Sequence, residues 1–121
     1  MDEQPNGPPL DRSAVLARFG GDADFAAECA EVLEAELPAM IESLRDGVRT
    51  GSAERLHRAA HTLKGALSNF CEDGPTRTAG QIDSLARDGR IDEARPLLAV
   101  LEQELAAFVL ALRGLRSPSS S

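Results

Sequence analysis

Two histidines stand one helical turn apart in the stretch Leu56-His57-Arg58-Ala59-Ala60-His61-Thr62-Leu63-Lys64-Gly65-Ala66-Leu67-Ser68-Asn69-Phe70. An imidazole with its ordinary pKa of about 6.5 is largely neutral at neutral pH, so it offers a nucleophilic nitrogen without a separate base. Lys64, three residues after His61, offers a point charge to any group that gains negative charge. Gly65 is the odd member, because a glycine inside a helix costs about 1 kcal/mol against alanine. Its use beside His61 is to let another molecule come close to the backbone. A nucleophilic imidazole, a cation one turn on and a bare patch between them suit the handling of a phosphoryl group.

The helix that positions these residues spans about Ser52 to Cys71, with Ser52 as its N-cap. At about 100° per residue, Leu56, Ala59, Ala60, Leu63, Leu67 and Phe70 gather on one face, which must be the core. His61 then points about 180° away from that face. His57 lies one turn before it, Lys64 and Gly65 one turn after, Glu54 and Ser68 two turns either way, and Arg58 on the flank.

The remaining pattern is helical too, with no run alternating at period two. Asp11 caps a short helix ending at Phe19, before Gly20-Gly21. A long helix follows from about Asp22 to Arg49. Its expected buried stripe is Phe25, Cys29, Val32, Leu33, Leu37, Met40, Ile41, Leu44 and Val48, with Pro38 expected to kink or split it. Pro75 opens a shorter helix ending near Arg87, and a last helix from about Asp92 to Leu115 carries Ala94, Leu98, Leu101, Leu105, Phe108, Leu112 and Leu115 at bundle spacing. Short turns make neighbours antiparallel. The expected fold is therefore all-α: an up-and-down antiparallel four-helix bundle with a short additional N-terminal helix. It occupies residues 11–116, between disordered tails at 1–10 and 117–121, whose Pro, Gly and Ser content cannot support a core.

Composition removes several functions. A chain of 121 residues has the size of one domain. A net charge of -7 argues against a phosphate-backbone footprint, and 3% aromatics, all Phe, leave no stacking platform for single-stranded nucleic acid. The longest apolar run, Leu105 to Leu112, is far short of the roughly 20 residues a membrane span needs. Residues 1–9 lack the basic and apolar regions of a secretory signal. Cys29 and Cys71 are in no metal-ligand spacing and read as reduced thiols, so a cytoplasmic location is expected. No Gly-x-x-x-x-Gly-Lys loop is present.

Ala60-His61-Thr62-Leu63-Lys64-Gly65-Ala66, with the lead-in Arg58-Ala59-Ala60, resembles the signature of the histidine phosphotransfer domain. The resemblance extends over the helix from Ser52 to Cys71, the following turn, and Gly89-Arg90-Ile91-Asp92-Glu93-Ala94. It implies a helical bundle whose exposed histidine relays a phosphoryl group between receiver-domain aspartates. On that basis His61 is the phosphorylated residue, Lys64 pairs with the phosphoryl oxygens, and Gly65 clears space for docking. His57, Arg58, Ser68 and Asn69 would line the docking surface. The implied partners are a response-regulator receiver domain, a hybrid sensor histidine kinase, or both, with neither nucleic acid nor membrane. Mg²⁺ is expected on the receiver, no cofactor or metal on this chain, no autokinase activity, and a monomer. Three positions depart from the family pattern. Leu67 stands where a small residue is usual, Cys71 where Gly often ends the motif, and Asp83 where a longer Glu or Gln commonly reaches the His ring. Whether Asp83 reaches His61 is left open. Two other readings use the same residues: a binding-only adaptor for a receiver, and a metal site on Glu54-x-x-His57 with His61.

Overall fold

Helix starts coincide with side chains able to cap them. Asp11 accepts from the Ser13 and Ala14 amides and opens α1 (Arg12–Arg18). Asp22 accepts from the Phe25 amide and opens α2 (Ala23–Thr50), and Ser52 accepts from the Arg55 amide and opens α3 (Ala53–Leu67). Pro75 sits in the first turn of α4 (Pro75–Arg87), where its missing N–H is no loss. α5 runs Ile91–Arg116. The turn from α2 into α3 needs Gly51, whose φ of 68° is left-handed. The computed structural model describes residues 10–116, all helix and turn, with no strand among them. The expected tails, residues 1–10 and 117–121, lie outside that span except for Leu10, which is buried against the core.

α3 packs against α2 and α4, and α5 packs against the same two, so four helices close a ring while α1 rests on α2. Leu33, Leu37 and Leu44 from α2, Leu56, Leu63 and Leu67 from α3, Ile82 from α4, and Leu101, Leu105, Phe108 and Leu112 from α5 fill its centre. The stripe read for α3 is the buried one, with Ala59 half-covered. The seam of α5 is buried apart from Leu98, which is partly covered.

The first turns of α2 depart from expectation. Phe25 and Val32 are 51% and 57% exposed, and Ala26 and Ala30 face the core in their place. Small side chains there leave the core side of the helix thin, and Phe25 instead packs edge-on against Phe19 just beyond α1, with centroids 5.5 Å apart. Pro38 does not split α2, which stays one helix of 28 residues; the proline lies on its exposed side.

Gly47 marks a close approach of α2 to α3. A Cβ built there falls 2.8 Å from both Cα and N of Leu56. That is backbone, which cannot rotate aside. Gly65 is the reverse case, with no atom within 4 Å of its Cβ position. Urea unfolding should therefore separate the two glycines: Gly47→Ala loses about 1–3 kcal/mol through overpacking, whereas Gly65→Ala gains about 0.5–1 kcal/mol of helix propensity.

Candidate functional site: two imidazoles on one carboxylate

Burying Leu56, Ala60, Leu63 and Leu67 turns His61 outward, and its side chain is 63% exposed. α4 buries Ala79, Ile82, Asp83 and Ala86, a helical stripe with steps of three, one and three in which one member carries a charge. Asp83 is therefore only 5% exposed and lies under the outward face of α3. Its Oδ2 is 3.3 Å from Nδ1 of His61. Its Oδ1 meets Nδ1 of His57 and, at 3.3 Å, Nε of Arg87.

Burial pushes the Asp83 carboxyl upward. The hydrogen bonds from His57 and His61 and the Arg87 charge outweigh that, holding it below the ordinary value of 3.8. The group is thus an ionised carboxylate that only accepts, which assigns the proton on each imidazole to Nδ1. His61 keeps its lone pair on Nε2. Arg87 Nε also lies 3.3 Å from His57 Nδ1. A protonated Nδ1 cannot accept from it, so the Arg87 N–H goes to the carboxylate.

The other residues singled out from sequence fall at varied places. Gly65 is exposed beside His61, as the helix phase requires. Lys64 leans away toward α4: its Cδ and Cε would each lie 3.5 Å from a Cβ at Gly80, so its stem rests over bare backbone. Arg58 donates to Glu54 at 2.7 Å. The Ser68 hydroxyl donates to the Gly65 carbonyl, and the Asn69 amide donates to the Ala66 carbonyl. His57 is not fully outward; its side chain is 32% exposed and turned onto α4. Glu54 and His57 thus go to different partners, and no group of three or more His, Cys, Asp or Glu among the described residues is placed to hold a metal ion.

Leu67, one of the departures, is wholly buried. Cys71 takes part in the turn between α3 and α4, where Thr76 Oγ1 donates to its carbonyl at 3.0 Å. Burial raises the Cys71 thiol pKa, more than the Thr76 hydrogen bond lowers it. Arg18 reaches across from α1 to the Ser68 carbonyl at 2.9 Å and to Glu72. Charge is divided between the helices. α3 and α4 carry Arg55, Arg58, Lys64, Arg77 and Arg87 against Glu54 and Asp83, while α2 carries Asp24, Glu28, Glu31, Glu34, Glu36, Glu42 and Asp46 against Arg45 and Arg49.

Sequence reasoning missed Arg87 and Gly80. Arg87 follows Asp83 by four residues, a pairing distance on a helix that the sequence does display. Gly80 had no such signal, because its use depends on how α3 lies across α4.

This arrangement, a solvent-facing imidazole on the outer face of a helical ring with its second nitrogen anchored on the neighbouring helix, defines a class that comparison with known proteins makes specific. The family model for the Hpt domain matches residues 28–111, more than half of the chain. The chain belongs to that family, the histidine phosphotransfer domains of two-component phosphorelays, which act as phosphoryl carriers and interact with receiver domains and kinases. No curated protein and no solved structure matches it. No helix among the described residues is long and apolar enough to cross a membrane.

The depressed pKa of Asp83 gives a signed prediction. As pH falls, the unfolded chain takes up this proton before the folded one does. The carboxylate's contribution is therefore complete above the ordinary value of 3.8 and lost as pH drops through it to the lower folded value. Asp83→Asn removes that titration. Between about pH 6 and pH 3, its urea midpoint should fall less than that of the parent protein.

Proposed function

We propose that this chain is a phosphorelay intermediate. It takes a phosphoryl group on Nε2 of His61 from a receiver-domain aspartyl phosphate, or from a sensor kinase, and passes it to another receiver aspartate. The observation that carries the reading is His61 itself: exposed, with Nδ1 directed at an ionised carboxylate. On this reading the ring of four helices is an up-and-down antiparallel bundle that holds α3 and α4 in register.

In the transfer the Nε2 lone pair attacks phosphorus, a P–N bond forms, and the P–O bond to the donor aspartate breaks. The aspartate departs as a carboxylate. The positive charge gained by the ring is balanced by Asp83, and the proton stays on Nδ1. Return transfer runs the same steps backwards, with a receiver carboxylate attacking and neutral His61 leaving. Lys64, on a flexible stem lying along Gly80, swings its ammonium toward the phosphoryl oxygens. Gly65 leaves the backbone bare where the receiver must come close. Arg58, Asn69, Ser68 and the exposed part of His57 form the margin of that contact. Mg²⁺ belongs to the partner's receiver, and this chain needs no cofactor or ATP site. It works as a monomer in the cytoplasm.

Phosphoramidate tests the carrier without a partner. Incubation should add one phosphoryl group by mass, stable at neutral pH and lost in acid. His61→Gln abolishes the addition and His57→Gln retains it. Lys64→Ala slows it by about tenfold or more, the effect of removing one charge-stabilising donor. A folded parent protein that takes up nothing overturns the reading in favour of a binding-only adaptor.

A further inference from the structure

His57 touches no reacting atom in the transfer just described, yet it makes the more buried of the two imidazole contacts to Asp83. The carboxylate has two oxygens and three donors. Oδ1 takes His57 and Arg87, while Oδ2 is left for His61 at 3.3 Å, the long end of the hydrogen-bond range. Each donor on Oδ1 withdraws negative charge from the whole carboxylate, because its charge is shared between both oxygens. We propose that His57 is a positioning residue for the reactive histidine: by occupying Asp83 it limits the hold of that carboxylate on His61, so the two imidazoles compete for one counter-charge.

The surroundings leave Asp83 as the group through which they couple. The rings are 6.0 Å apart between centroids, so they make no hydrogen bond to each other. On α3, the Glu54 carboxylate is taken by Arg58. From α4, Asp83 and Arg87 face His57. On α2, Asp46 pairs with Arg49 and shares the far side of α3 with Arg55 and Arg58. Lys64 lies along Gly80. Both imidazoles meet the one Asp83 carboxylate, so removing one donor changes how strongly that carboxylate holds the other.

The competition fixes the direction of the effect. Without His57 on Oδ1, Asp83 becomes a stronger acceptor for His61, favouring both the Nδ1–H form and the doubly protonated ring. The ring nitrogens of ¹⁵N-labelled His61 would be followed by NMR against pH in the parent, His57→Leu and His57→Gln. Leucine supplies no donor, whereas glutamine supplies an N–H that does not titrate. The expected result is an upward shift of the His61 midpoint in His57→Leu, with His57→Gln returning most of it. An unchanged or lowered midpoint in a folded His57→Leu protein overturns the proposal. The inference rests on His61 being the acceptor for its meaning in the relay, and the two are separable. Phosphoramidate uptake measured over the same pH series should show its acid limb moving with the NMR midpoint. A shifted midpoint with no uptake in any protein would leave the coupling intact and overturn the carrier reading alone.

Discussion

An ionised carboxylate 5% exposed between two helices is expensive to maintain, and Asp83 sits there because three donors meet it. Two of those donors come from α3 and one from its own helix. The register between α3 and α4 is thereby tied to a polar contact as well as to the packing of Leu63, Leu67 and Ile82. A slip of one residue in either helix would bury the charge without partners. The same contact assigns the tautomer of His61 and leaves the lone pair on Nε2 of a side chain that is largely exposed. Structure and chemistry at this site depend on one side chain.

Much of the fold was legible because its local signals are backbone chemistry. Asp11, Asp22, Ser52 and Pro75 each read as helix starts, and the helices begin beside them. The stripe of α3 was legible for a related reason: Leu56, Leu63 and Leu67 are large and apolar and leave one choice of core face. The start of α2 offered two. Ala26 and Ala30 compete there with Phe25 and Val32, and periodicity weights the larger residues although the small ones face the core. For Phe25 what decides is Phe19 just beyond α1, a tertiary fact.

At the candidate site, the exposure of His61 and Gly65 was legible because both sit on one helix whose core face is fixed. The partnership of His57 with Asp83 was not, since it joins residues 26 apart in sequence and depends on the phase of two helices. A trace of it was nonetheless present. In Ala79, Ile82, Asp83 and Ala86 a carboxylate occupies an apolar register, and a charge at such a position needs partners. The length of the Asp83 side chain, shorter than the usual Glu or Gln, made its reach to His61 uncertain from sequence. It reaches because α4 lies close to α3, as the bed that Gly80 forms under the Lys64 stem also requires.

The division of charge between α2 and the pair α3–α4 gives the molecule an electric dipole as well as a net charge of -7. Net charge sets how strongly another acidic protein is repelled at a distance. The dipole sets which way this molecule turns as the two approach. In the field of a negatively charged body the torque brings the α3–α4 side forward and carries α2 to the rear, so the face bearing His61 turns toward it. That orienting fades with added salt as the screening length shrinks. Repulsion at long range and alignment at short range then act in sequence on the same encounter.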